Sequence, residues 1–254
     1  MTEDAGRWLI RFRPRPDAAL RLVCFPHAGG SAAFFRPWLE LVPPEVELVA
    51  VQYPGRLDRL GEPCVTDMDQ MSRRILAALA ATPGAAVALF GHSMGSVIAY
   101  EVARRLCAAP GGPPLARLMV SGRPGPAYHS GRTWHRAGDG ALADELRRLG
   151  GTDEPALAHP ELRGLVLSVL RNDYRLVETY RHRPGPPLSC PVTVLGGDDD
   201  PEAPVADLGG WAATTTGPVA TRLFPGGHFY LVPHRPAVVR EVMDSIGIRQ
   251  GGTR

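Results

Sequence analysis

Short apolar runs that end in turn residues alternate with amphipathic stretches along most of this 254-residue chain. The runs are LRLVCF before Pro26, VELVAV before QYPG, VALF before Gly91, ARLMVS before Gly122, VTVL before Gly196 and TRLF before Pro225. Runs of this length, bounded by glycine and proline, read as buried strands. Between them, Met68 to Ala81 and Ser96 to Ala108 place apolar residues at three- and four-residue intervals, the spacing of a helix with one buried face. Strand and helix in alternation imply a mostly parallel sheet, right-handed crossovers and helices on both faces. Ligand chemistry in such sheets collects beyond the carboxyl ends of the strands. The sequence is therefore expected to fold as one α/β unit over residues 1–254.

The alternation lapses between about Pro124 and Pro187. There GDGALADELRRLGG and HPELRGLVLSVLRNDYRLVETY give helices with no strand between them. An inserted helical lid is expected, spanning approximately residues 128–185.

The apolar run VALF leads directly into GHSMG, and SVIAYEVARRL follows with helical periodicity. Strand, tight turn and helix around G-x-S-x-G is the nucleophile-elbow pattern. Gly91 and Gly95 lack Cβ atoms and allow backbone to pack closely, while Ser93 is held at the tip in a strained conformation. A serine hydroxyl attacks only when a base takes its proton, so a histidine must reach it in the fold. Of eight histidines, His92 adjoins the serine and should point away from it, and His27 in CFPHAGG suits the rim. His129, His135, His159 and His182 fall in the expected lid, where solvated or packing roles are the better reading. His228, in RLFPGGHFYLV, follows a late strand and a glycine-rich loop, the place where this kind of chain presents its base.

A third, acidic group must orient the imidazole, and Asp198, Asp199 and Asp200 stand together just beyond a strand. One of the three is expected to serve. Donors for a tetrahedral oxyanion are expected from the Met94 N–H and from the loop FPHAGG. That loop is not a nucleotide phosphate loop, because neither GxGxxG nor GK[ST] occurs.

The remaining composition argues against other classes. A net charge of +2, from 28 basic and 26 acidic residues with no basic block, does not suit nucleic acid. All 28 basic residues are arginine, which points to coding bias and not to a site. Cys24, Cys64, Cys107 and Cys190 lie far apart without a CxxC pair, so neither metal nor disulfide is expected. No apolar run approaches membrane-spanning length and the opening MTEDAGRW is acidic. A cytoplasmic monomer without cofactors is expected.

Seven stretches in order, LVCFPHAGGSAAFFRPW, VQYPGRLDR, LFGHSMGSVIAYEVARRL, ELRRLGGT, LRNDYRLVETY, CPVTVLGGDDDPEAP and LFPGGHFYLV, resemble the type II thioesterases. These are stand-alone editing enzymes of polyketide and nonribosomal peptide synthesis, with an α/β-hydrolase fold. The resemblance implies Ser93, Asp200 and His228 as catalytic triad and the N–H groups of Ala28 and Met94 as oxyanion hole. It implies a helical lid over an acyl pocket, with HSGRTWHRAGDG departing from the family at the lid entry. It also implies hydrolysis of acyl groups from the phosphopantetheine arm of carrier proteins through an acyl-serine. The residues alone leave open a small-molecule carboxylesterase or lipase-like serine hydrolase. They also leave open a non-catalytic acyl-binding protein on a hydrolase fold.

Overall fold

A computed structural model describes residues 3–82, 84–109, 111–150 and 158–248. Its sheet has strands β1 (Leu9–Arg11), β2 (Leu20–Phe25), β3 (Val46–Val51), β4 (Ala86–His92), β5 (Leu115–Ser121), β6 (Val192–Gly197) and β7 (Val219–Phe224). The spatial order is β1-β3-β2-β4-β5-β6-β7. Only β1 runs antiparallel to its neighbour; the other five pairings are parallel. Six strands fall on the six apolar runs. β1 is three residues long, too short to show a periodicity, and was not expected from the sequence.

Every residue of β3 and β6 is buried, as the unbroken apolar runs require of strands covered on both faces. Alternate side chains divide between two cores. On one face Val23, Val49, Leu89 and Val120 pack with helices α2 (Met68–Ala80) and α3 (Met94–Ala108), named here after the short α1 (Glu3–Trp8). On the other, Cys24, Leu48, Phe90 and Met119 pack against Phe35 and Trp38 of a 3-10 segment, Ala32–Glu40, and against Val238, Val239 and Val242 near the C-terminus. The Asp67 carboxylate starts α2 by accepting from the Gln70 N–H at 2.7 Å, satisfying one of the free donors of the first turn. The fold is the α/β-hydrolase arrangement.

Between β5 and β6 the chain forms α4 (Asp139–Leu149) and α5 (Pro160–Thr179), and no strand among the described residues. Leu142, Ala143 and Leu146 of α4 bury against Leu167 and Leu170 of α5, giving this segment an apolar centre of its own. Ala28, from the loop after β2, packs on that centre. Residues 151–157 of the expected lid lie outside the described residues. The C-terminal helix, α6, is Arg235–Ser245.

Candidate active site

The elbow forms where β4 ends and α3 begins. The helix starts at Met94, two residues earlier than its apolar spacing suggested, so Ser93 is the turn itself. Ser93 has φ 54° and ψ −116°, a conformation that costs about 1–3 kcal/mol for a residue bearing a Cβ. Its surroundings enforce it. A Cβ on Gly91 would lie 2.2 Å from the Gly95 carbonyl oxygen, and one on Gly95 would lie 2.0 Å from that of Phe25. Strand and helix are thus pressed together at a distance only glycine allows. The Ser96 hydroxyl then pins the turn, donating to the Gly91 carbonyl at 2.8 Å and accepting from the Ser121 N–H at 3.1 Å.

His228 follows β7 in a glycine-rich loop. Its Nδ1 stands 2.9 Å from Oδ2 of Asp200, and both side chains are buried, at 5% and 4% exposure. A carboxylate oxygen accepts, so Nδ1 carries a proton, and in the neutral ring the lone pair is therefore on Nε2. The other Asp200 oxygen accepts from the Glu202 N–H at 2.8 Å, which fixes the carboxylate plane. Of the three neighbouring acids, only Asp200 turns inward. Asp198 and Asp199 are exposed, and Asp198 accepts from the Gly226 N–H at 2.8 Å, closing the loop that presents His228.

Ser93, Met94, Ala28 and His228 line one cavity of about 620 Å³, bounded by Phe34, Phe229 and the α5 residues Val166, Leu170, Tyr174 and Val177. Among the described residues, the N–H groups of Ala28 and Met94 have no protein acceptor outside regular secondary structure. Five separate sequence segments, the loop after β2, the elbow, Asp200, the His228 loop and α5, therefore contribute to one site.

Residues 20–246 match the Thioesterase domain family. This chain belongs to the thioesterase family. It is a thioester hydrolase. It is 43% identical over 249 residues to the thioesterase PikA5 of Streptomyces venezuelae, covering 98% of this chain and 88% of that one. The gramicidin S biosynthesis protein GrsT of Aneurinibacillus migulanus is 32% identical, covering 90% of this chain and 89% of its own. Among solved structures, the type II thioesterase BorB of the borrelidin biosynthetic cluster superposes with a TM-score of 0.86. It is 42% identical, over 94% of this chain and 98% of that one.

In this thioesterase several residues near the site carried no sequence signal of their role. His92 was expected to turn away from Ser93; its ring is fully buried and lies 5.0 Å from that of His228. Its Nδ1 is 2.9 Å from the Ser121 hydroxyl, which is 2.6 Å from the Tyr230 hydroxyl. Burial, with the nearby His228 and His27, holds the His92 pKa well below the ordinary histidine value. His27, expected at the rim, is buried between Phe34 and Phe229, with ring centroids 4.7 and 4.8 Å away. Burial, then His228 and Arg56, lowers its pKa to about 3, so it stays neutral beside the reacting centre.

The thioesterase also carries a buried ion pair that ties α5 to the loop after β2. Arg56 and Asp173 meet in a bidentate pair at 2.8 Å for both bonds. Asp173 Oδ2 also accepts from the Gly29 N–H at 2.8 Å, and Arg56 donates to the Gly30 carbonyl at 2.8 Å. Both residues lie in stretches that the sequence marks, QYPGR and LRNDY, yet 117 positions separate them and nothing local pairs them. No helix among the described residues is long and apolar enough to cross a membrane.

Proposed function

We propose that this thioesterase removes acyl groups from the phosphopantetheine arm of carrier proteins in polyketide or nonribosomal peptide synthesis, clearing stalled or misprimed chains. The observation that carries the reading is the convergence, in one apolar cavity, of a strained Ser93 with a His228 whose Nδ1 is held by Asp200. The names of its relatives supply the substrate class: BorB is a type II thioesterase of a borrelidin cluster, and GrsT belongs to gramicidin S biosynthesis.

In this reading Ser93 Oγ attacks the thioester carbonyl while His228 Nε2 takes its proton, and Asp200 steadies the imidazolium that forms. The Ala28 and Met94 N–H groups receive the oxyanion, reinforced by the positive end of α3. The tetrahedral adduct collapses with loss of a thiol whose pKa of about 8.5 makes it a good leaving group. Collapse then needs less help from an acid than ester cleavage would. Water, deprotonated by His228, frees the acid from the acyl-serine. We assign residues 128–185 the role of a lid on a single hydrolase unit, because α4 and α5 share a core and α5 walls the cavity.

Intact-mass spectrometry of acyl-loaded carrier proteins, before and after incubation with the enzyme, tests this. Loss of the acyl mass is expected with the native chain and not with folded Ser93→Ala, and the matched oxygen ester should react more slowly. Near-native activity in Ser93→Ala would remove Ser93 from the nucleophile's role. A crippled Asp198→Asn or Asp199→Asn beside an active Asp200→Asn would overturn the assignment of the acid.

A further inference from the structure

Of the charged side chains that line the cavity and that the hydrolytic machinery does not use, one has no partner among the described residues. Its lining carboxylates are both engaged. Glu202 is paired with Arg132 and Arg148, and those arginines also reach Glu145. Glu178 accepts from the N–H groups of Trp134 and His135, at 2.7 and 3.1 Å, and faces His135 Nδ1. Arg123 also lines the cavity. Its side chain makes no hydrogen bond, ion pair or stacking contact among the described residues, and its Nε is buried without a partner. Burial draws its pKa down to about 10, against the opposing pull of Tyr180, Tyr128 and Glu202, so the guanidinium remains charged at neutral pH.

The position of Arg123 is set by its neighbours. Gly122, immediately before it, is packed so closely that a Cβ there would lie 2.7 Å from His92 Cε1 and 3.3 Å from His228 Cε1. The Arg123 carbonyl accepts from Trp211 Nε1 at 2.8 Å, which anchors the backbone. The Arg123 backbone is therefore fixed beside the reacting centre, and its side chain extends along the cavity wall. Only Nε is buried; the two Nη groups have no protein partner among the described residues and stay open to the cavity, where they can receive an anion. Guanidinium presents paired N–H donors that match the two oxygens of a carboxylate.

We propose that Arg123 is a specificity-determining residue, and that its guanidinium receives a carboxylate borne by the acyl group, so that thioesters of dicarboxylic acids are substrates of this cavity. The inference rests on the thioesterase reading above and adds the acyl class. The other anion on a carrier substrate, the phosphate of the prosthetic arm, sits at the end of the arm remote from the thioester. The Arg123 side chain leaves a backbone that lies against His228, on the thioester side of the cavity.

The test compares malonyl and succinyl thioesters with their neutral near-isosteres, isovaleryl and 4-methylvaleryl. Each is presented on a carrier protein and on N-acetylcysteamine, which has no phosphate. Arg123→Gln is expected to lower kcat/KM for the carboxylated member of each pair at least tenfold more than for the neutral one, on both carriers of the thioester. Arg123→Lys, which keeps a point charge and loses the fork, should recover part of that ratio. A carboxylate-to-neutral ratio unchanged by Arg123→Gln overturns the proposal. So does a native enzyme that cleaves the neutral members only, and so does an effect confined to the phosphate-bearing carrier substrates. Should Arg123→Gln not fold, competitive inhibition of the native enzyme decides. Free succinate inhibiting at least tenfold better than 4-methylvalerate supports the proposal, and equal inhibition ends it. If the native chain cleaves no thioester at all, the thioesterase reading fails first and this one with it.

Discussion

Replacing Asp173 by asparagine keeps the shape of the side chain and removes the charge that neutralises Arg56. The two side chains are 1% and 7% exposed, so the guanidinium is left charged and buried without its counter-charge. Breaking a buried pair from one side costs about 3–5 kcal/mol. A domain of this size loses about 2–4 °C of melting temperature per kcal/mol, so a fall of about 10 °C is expected. Asp173 also holds the Gly29 N–H, one peptide from the Ala28 N–H that we assign to the oxyanion. Loss of one such donor lowers kcat about 10²- to 10³-fold, and partial displacement should cost about tenfold to a hundredfold.

A double substitution separates the two effects. Arg56→Met with Asp173→Leu removes both charges, and apolar replacement of a buried pair is often close to neutral. It leaves the Gly29 N–H and the Gly30 carbonyl without protein partners, at less than the roughly 1–3 kcal/mol of a fully buried group, because this loop is only part-buried. Urea unfolding followed by tryptophan fluorescence should therefore show much of the stability regained. Thiol release from an acyl-N-acetylcysteamine, measured well below the melting temperature, should show kcat still low. A double variant with native kcat would refute the idea that this pair positions the loop. Asp173→Asn with native kcat would do the same.

Gly122→Ala forces a left-handed φ of +60° on a residue with a Cβ, at about 1–2 kcal/mol, and drives that Cβ into His92 and against His228. We expect kcat to fall at least tenfold with only a small loss of melting temperature; native kcat would show the His228 ring free to adjust. Ser121→Ala strands the buried Tyr230 hydroxyl and His92 Nδ1, so the urea midpoint should drop by the equivalent of about 1–3 kcal/mol for each, and an unchanged midpoint would contradict the hydrogen-bonded chain. Stability should also fall on acidification. His27 titrates at about 3 in the folded chain and near 6.5 unfolded, so between these values the unfolded chain binds the extra proton and stability declines with pH. That gives about 2 kcal/mol lost from pH 7 to pH 5, with His92 acting in the same direction; equal urea midpoints at the two pH values would rule it out.

What the sequence disclosed follows from the range over which each feature is determined. The six long strands and the elbow are written in contiguous residues, because burial on both faces and a strand–turn–helix junction each leave a local pattern. Ser93 and His228 stood out as candidates for that reason. Asp200 was not separable from Asp198 and Asp199 by the residues alone; the resemblance to type II thioesterases singled it out. Consecutive side chains at a strand end point in different directions, and only the fold brings one of them to His228. The 3-10 segments Ala32–Glu40 and Val205–Thr214 escaped notice because Pro37 interrupts the first and paired glycines weaken the second.

Arg56 and Asp173 were illegible for a deeper reason, which lies in the backbone they serve. The loop after β2 must bring bare peptide groups to the cavity, and Gly29, at φ +77°, lies so close to α5 that an added Cβ would meet Leu170 at 3.3 Å. This loop is only part-buried, but its Gly29 N–H and Gly30 carbonyl have no partner in the sheet. An apolar contact with Leu170 alone would leave the Gly29 N–H and the Gly30 carbonyl orphaned. An acid facing the N–H needs a cation beside it, and an arginine that neutralises the acid has further N–H groups to give the carbonyl. One ion pair thus settles two peptide groups and its own charges together. The requirement comes from the route of a glycine loop beneath a helix more than a hundred residues away, and no periodicity in either segment can express it.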